Sequence, residues 1–407
     1  MKRYKVIIIG GGPSGITCGY HLNQRGMDYL ILERQEMLHT WRHERWDSFY
    51  LVTPNWMTRL PGFEDEIPYN NEYMSKAEIL DILERYLKFV DPNYLEHTTI
   101  RCIDKEGELY HVHTNHGTFV AEHIIVAAGM YSEPYIPAVT EKVPAQIHQM
   151  HSSLYKSPQQ LKPGNTVVVG SGWSGVQIAL EVKQKLGSQV YLSIGSLSPL
   201  PMVYKNVHGV YWLNRLSGYS GINKVLNYQS DDFMNPNILN KMSQNLVQCQ
   251  KEGVNLIGRL LDADASHLYF NENIQKAFTD AERYLETAKA HIDHLVQSER
   301  LQVSENAPGL SLDTVDLQKL MGIPQLDLEK DNITNIIWST GFRRDYAYIK
   351  RPIFDANGLP RLIDGVSTEE NIHFCGLELE VDRNIKSAFG VGLYAINESA
   401  KRAVDKI

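Results

Sequence analysis

A glycine pattern that occurs twice constrains this chain more than any other feature. VIIIGGGPSGITCGYHL, Val6 to Leu22, reads as a strand, a tight turn and a helix. VVVGSGWSGVQIALEV, Val167 to Val182, reads the same way. Gly10, Gly12 and Gly15 fit G-x-G-x-x-G, and Gly170, Gly172 and Gly175 repeat it 160 positions later. In such a loop the first glycine permits the turn and the second lets backbone approach a pyrophosphate. The third lets helix and strand pack closely, and the helix N-terminus favours the anion. Pro13 and Ser14 lie between the second and third glycines of one loop, Trp173 and Ser174 in the other. The expected fold class is therefore α/β, with two Rossmann-like dinucleotide-binding domains.

The residue ending the following strand distinguishes the loops. Glu33 stands 23 positions after Gly10, where a carboxylate accepts hydrogen bonds from a ribose diol and repels a 2′-phosphate. Arg34 follows as a further candidate contact. The first loop thus suits FAD or NAD. At the same offset from Gly170 stands Ser193, which is neutral, and the nearest basic residue downstream is Lys205. NADPH is favoured there, with NADH or dual use left open. Two different dinucleotides in one chain imply hydride transfer from a nicotinamide to a flavin.

At 407 residues the chain has room for about two domains. The net charge of −8 argues against a nucleic-acid partner, which calls for a basic face. Cys18, Cys102, Cys249 and Cys375 are far apart, so neither a redox dithiol motif nor a zinc knuckle is supported. A reducing, cytoplasmic location is expected. The opening MKRYKVIIIGGG has the charge pattern of a signal peptide, but strand plus turn explains it better. No apolar run approaches the length of a membrane span, and no metal motif is found.

The expected domains are residues 1–145 with 325–407 for FAD, and 146–324 for NAD(P)H. A hairpin is expected around Tyr110 to Phe119. Between about 206 and 300 the texture becomes helical, as in ILNKMSQNLVQCQKEG and IQKAFTDAERYLETAKAHIDHLVQSE, and reads as a helical insertion. Strand signals return at NIIWSTGF and NIHFCGL before a last helix.

On these loops the chain resembles the flavin-containing monooxygenases, the class B single-component flavoproteins. It is most similar to a compact bacterial branch linked to potassium transport. HIIVAAGMYSEPYIP is similar to the family's linker, with Ala128 and Gly129. IIWSTGF is similar to its second such strand, with Thr340 and Gly341. HTWRHERWDSFYLVTPNW resembles the segment covering the flavin, and GVNLIGRL and KSAFGVGLYAINESA resemble the bacterial branch. AQIHQMHSSLY keeps His151 and Tyr155 of the family signature, but Ala145 and Ile147 replace its Phe and Gly. The Trp-Pro ending of Baeyer–Villiger enzymes is missing, which favours N- or S-oxygenation. CGLEL stands where many flavoproteins have Gly-Asp, and Gly376 remains.

The resemblance implies FAD reduced by NAD(P)H, a flavin hydroperoxide formed with O₂, and oxygen transfer to a small nucleophilic substrate. The cofactor then carries the chemistry. Asn55 is implied near the flavin's reactive edge, with a turn residue as the plain alternative. Trp41 is implied against FAD, with simple packing as the alternative. His151 is a candidate nicotinamide-dinucleotide contact or a structural histidine. Lys386 and Ser387 precede a turn that would bring backbone amides to the flavin ring. An NAD(P)H oxidase releasing hydrogen peroxide and a non-catalytic redox sensor or transport regulator stay open. The absent cysteine pair disfavours a disulfide reductase, and a homodimer is compatible with the chain.

Overall fold

The computed structural model describes residues 2–407 apart from 71, 196, 198–202, 206, 209–211, 213–245, 304–314, 321, 364, 365, 369, 377–392 and 394. β1 (Lys2–Ile9), α1 (Pro13–Gln24) and β2 (Tyr29–Leu32) open the chain. α2 (His39–His43) and α3 (Lys76–Val90) follow, then β3 (Tyr94–Leu95), β4 (Ile100–Glu106), β5 (Leu109–Thr114) and β6 (Gly117–Val126). The last two form the hairpin expected from the sequence.

The first sheet has the order β3-β2-β1-β6-β5-β4. β6 is long enough to serve two partners on one side. Its first half pairs antiparallel with β5, and Ile124–Val126 pair parallel with the late strand Ile372–Phe374. The runs VIII, YLIL and HIIV are apolar on both faces because both faces are covered. Val6, Ile8 and Ile31 pack toward Ile16, Leu22, Leu83, Tyr86 and Ala400. Ile7, Ile9, Leu30 and Leu32 pack on the opposite side with Tyr110, Val112, Ile349 and Phe374. Each such aliphatic side chain contributes about 1.5–3 kcal/mol by leaving water.

The second sheet begins with β8 (His148–His151), after the two-residue strand β7 (Glu133–Pro134). β9 (Asn165–Val169), α4 (Trp173–Leu186) and β10 (Val190–Ser193) repeat the opening unit. The short pair β11 (Val203–Tyr204) and β12 (Val207–His208) follows, then α5 (Leu246–Lys251) and β13 (Asn255–Ile257). β14 (Leu260–Ala263), β15 (His267–Phe270) and β16 (Gln325–Asp327) form a small antiparallel sheet, with α6 (Ile274–Ser298) between the last two. β17 (Ile333–Trp338), β18 (Phe342–Arg343), β19 (Ile372–Phe374) and α7 (Ile396–Val404) close the fold.

The second sheet runs β13-β10-β9-β17-β8, with every pairing parallel. Within the expected helical insertion of 206–300, the described residues hold strands beside α5 and α6. GVNLIGRL supplies β13, whose Leu256 pairs with Leu192, and β14 and β15 are strands as well. The helical periodicity of neighbouring α5 and α6 masked three short strands, too brief to show a period of their own. The division at residue 325 also shifts: β16 pairs with β15, and β17 pairs with β8 and β9. The return to the first sheet therefore comes after residue 338.

Both glycine loops occupy the same topological place. β1 lies between β2 and β6, and β9 lies between β10 and β17. In each case the chain leaves by a helix toward one neighbour, while the other neighbour comes from elsewhere. Ligands bind beyond the carboxyl ends of strands at such switch points.

Candidate functional site

The two loops share one set of close approaches. Gly10 has φ +108° and Gly170 has φ +110°, a region that favours glycine. A Cβ on Gly10 would come within 2.6 Å of the Ala127 carbonyl oxygen and 3.1 Å of the Ala128 Cα. A Cβ on Gly170 would overlap the Ser339 carbonyl oxygen. Cβ atoms on Gly15 and Gly175 would overlap the carbonyl oxygens of Gly10 and Gly170. At Gly12 and Gly172 a Cβ would meet nothing within 4 Å among the described residues. In each loop the first and third glycines are therefore needed by the protein itself. The second opens onto free space, where a ligand fits.

The helices behind the loops are prepared alike. Neither α1 nor α4 has a side-chain cap or an acidic residue in its first turn, and Pro13 starts α1. By contrast, Ser75 and Glu78 form a capping box on α3, and Asn273 caps α6. With no side-chain cap, the N-termini of α1 and α4 suit an anion. These cradles fit dinucleotide pyrophosphates.

Around the first loop, the Glu33 carboxylate accepts the Gly11 amide at 2.6 Å and the Gln35 amide at 2.8 Å. It is thereby held beside the loop with lone pairs left for ribose hydroxyls. Arg34 reaches away to an exposed ion pair with Glu133 at 2.9 Å. Gly129 (φ +73°) begins the linker, and Gly376 (φ +81°) sits against Ser14, whose Oγ a Cβ would approach to 2.8 Å. Lys386 and Ser387 lie outside the described residues.

Trp41, on α2, packs partly buried on the core of the first sheet and meets Phe49 edge to face at 6.2 Å. Arg45 lies 5.3 Å over the Trp41 ring, 5.6 Å over Phe49 and 5.1 Å over Tyr131. Burial pushes its guanidinium below the ordinary arginine value. Spacing along the chain does not predict this cluster, because Tyr131 comes from the linker.

Asn55 is 5% exposed in a short 3₁₀ turn. Its Nδ2 donates to Asn70 Oδ1 at 2.8 Å. The Glu72 amide donates to the same Oδ1 at 3.1 Å, so the Asn55 group facing it has to be the NH₂. The buried Asn55 Oδ1 then has no hydrogen-bond partner among the described residues. Asn55 thus presents a buried acceptor oxygen beside an NH₂ with one hydrogen engaged by Asn70. A buried carbonyl left unsatisfied costs about 1–3 kcal/mol. Asn70 orients it through a loop contact fifteen residues away, which sequence pattern does not carry.

Around the second loop two sequence candidates take other roles. Ser193 is 2% exposed, and its Oγ donates to the Gly258 carbonyl and accepts the Leu260 amide, both at 3.0 Å. It ties β10 to the start of β14 rather than facing a ribose. Lys205 pairs with Asp293 of α6 at 3.1 Å, so its charge is already matched. Trp173 and Ser174 open α4.

His151 is buried, and both its nitrogens are used. Nδ1 accepts the Ser153 amide at 3.2 Å, which leaves the proton on Nε2 to donate to the Gly341 carbonyl at 2.9 Å. Burial lowers its pKa from the ordinary value. Through the Gly341 carbonyl, His151 holds the Thr340–Gly341 turn. Thr340 Oγ1 donates to the Tyr135 carbonyl at 2.5 Å, and Gly341 has φ +82°. This turn and the linker pair as β7 and β18, joining the two sheets.

The fold sets Cys18 beside Cys375, although the sequence separates them widely. Their proximity and burial push the Cys18 thiol up. Both are buried behind the first loop, out of reach of a disulfide substrate. Among the described residues no helix is long and apolar enough to cross a membrane.

Residues 7–202 match the family model described as pyridine nucleotide-disulphide oxidoreductase. An uncharacterized CzcO-like oxidoreductase of Geobacillus kaustophilus is 29% identical over 402 residues, 97% of each chain. The probable indole-3-pyruvate monooxygenase YUCCA1 of Arabidopsis thaliana is 32% identical over 181 residues, 43% of this chain and 44% of that protein. A flavin-containing monooxygenase from Stenotrophomonas maltophilia superposes with a TM-score of 0.65 at 19% identity, covering 100% of this chain and 98% of that one.

Proposed function

We propose that the chain is a flavoprotein monooxygenase using FAD and a nicotinamide dinucleotide, and that it transfers one oxygen atom from O₂ to a nucleophilic nitrogen or sulfur of a small molecule. The observation carrying the proposal is the pair of matching glycine cradles with different surroundings. The first has the Glu33 carboxylate beside it where the second has the neutral Ser193, so the two sites discriminate between their dinucleotides. FAD belongs in the first and NADPH, or NADH, in the second.

In this reading the amides opening α1 hold the FAD pyrophosphate and Glu33 holds a ribose. Gly376 gives the backbone a close approach at Ser14. Bound FAD supplies acceptance of hydride and the reduction of O₂. The amides opening α4 hold the second pyrophosphate, and His151 fixes the turn beside it. Asn55 Oδ1 accepts an N–H or O–H inside the site, and the aromatic cluster of Trp41, Phe49 and Tyr131 limits the entry of water. The four free cysteines suit a reducing cytoplasm.

The test is to follow NADPH, oxygen and hydrogen peroxide together with a panel of amines, thioethers, indoles and ketones. A nitrogen or sulfur substrate should raise NADPH use and lower peroxide per NADPH. Oxygen recovered fully as peroxide with every compound would instead identify an NAD(P)H oxidase.

A further inference from the structure

We propose that Glu36, His39 and His43 form a binding site for a divalent transition-metal cation, outside the dinucleotide cradles. One ligand atom from each lies within 4.8 Å of the other two. His39 and His43 stand one helical turn apart on α2, with ring centroids 4.8 Å apart. Glu36 Oε1 hydrogen-bonds His43 Nε2 and lies 4.0 Å from His39 Nδ1. A metal with bonds of about 2.0–2.2 Å to imidazole nitrogen and carboxylate oxygen fits between these atoms after small side-chain rotations.

The surroundings prepare these atoms. Arg42 holds the other Glu36 oxygen, Oε2, at 3.3 Å, and Glu84 holds Arg42 at 3.2 Å. Only Oε1 is thus turned to the histidines. Neither ring nitrogen of His39 makes a hydrogen bond among the described residues. With Nδ1 toward Glu36, Nε2 faces Glu44 Oε1 at 3.9 Å. That carboxylate is placed to take the second ring proton when Nδ1 binds metal, the usual support for a ligating histidine. The Glu36 carboxylate supplies the negative charge among the three ligands, with Arg42 held between it and Glu84.

The backbone is also fixed. Leu38 has φ +64°, and its amide donates to the Gly11 carbonyl at 3.0 Å. The Met37 amide donates to Glu96 at 2.8 Å. Two imidazoles and one carboxylate select a borderline ion such as zinc, cobalt or nickel over magnesium or calcium.

The holoenzyme, stripped with a chelator and desalted, is titrated with Zn²⁺ by calorimetry and with Co²⁺ by visible absorption. One equivalent should bind. His39→Ala and His43→Ala should each weaken binding about tenfold or more, with flavin absorbance confirming that each variant is folded. The exposed His116, on the β5–β6 turn, serves as a control, and His116→Ala should bind as the parent does. No stoichiometric binding, or equal affinity in the parent and both α2 variants, would overturn the site.

Discussion

The two glycine cradles are nearly interchangeable as backbone and unlike as chemistry. Gly10 and Gly170 share a φ within a few degrees, and both second glycines face open space. The difference lies at the end of the next strand. Glu33 is anchored by two backbone amides beside its cradle. Ser193, at the same offset, is turned into the sheet contact with Gly258 and Leu260. A backbone pattern can thus be duplicated while selectivity is decided by the few side chains at its rim.

Substitution of the second glycines should break this comparison most sharply. Both positions have ordinary φ and free space, so valine is tolerated by the fold at each. Gly12→Val should empty the flavin site, because two lost charge-assisted contacts correspond to roughly a hundredfold or more in affinity. Gly172→Val should keep its flavin and lose rapid reduction by NADPH, by roughly a hundredfold. Flavin content and anaerobic stopped-flow reduction measure the two. Equal loss of flavin in both variants would end the assignment of one dinucleotide per loop.

The rim residues should differ in kind. Glu33→Gln should weaken FAD binding roughly tenfold, since it removes charge from one hydrogen-bonding group. Ser193→Ala should lower stability by about 1–3 kcal/mol, the cost of leaving buried partners unmatched, with little change in the KM for NADPH. Flavin release and thermal unfolding separate these outcomes. A raised KM in the serine variant would restore it as a cofactor contact.

Asn55→Ala should lie next in size. Removing the buried acceptor should raise peroxide per NADPH, with a barrier change of about 1–3 kcal/mol, or roughly five- to a hundredfold in the wasteful step. Flavin reduction should change less. Unchanged coupling would leave Asn55 as a turn residue.

The smallest effect concerns the joint between the cradles. His21, His123 and His151 all have pKa values lowered chiefly by burial. A histidine lowered in the folded state contributes stability above its unfolded pKa, and that stability is lost as pH falls toward the folded value. Unfolding midpoints should therefore drop as pH falls below about 6.5, and His151→Gln should flatten the slope. A slope unaltered in that variant would show that His151 does not contribute.

What the sequence determined by itself was local and repetitive. Glycine spacing, the strand before it and the helix after it specify each cradle, because steric demands at positive φ act between near neighbours. The carboxylate at Glu33 was legible for the same reason, since strand length sets its offset. Tertiary structure alone decided what distant segments bring to those cradles. The sequence could place Ser193 at a strand end, but only the arrival of Gly258 and Leu260 turned its hydroxyl inward. It could nominate Asn55, but only Asn70 and Glu72 decided which amide atom stays free. His151 became a support for Gly341, and Cys18 met Cys375, through contacts that no periodicity encodes. Hydrogen-bond partners of buried polar groups are set by packing between remote elements, and that packing exists only once both sheets have formed.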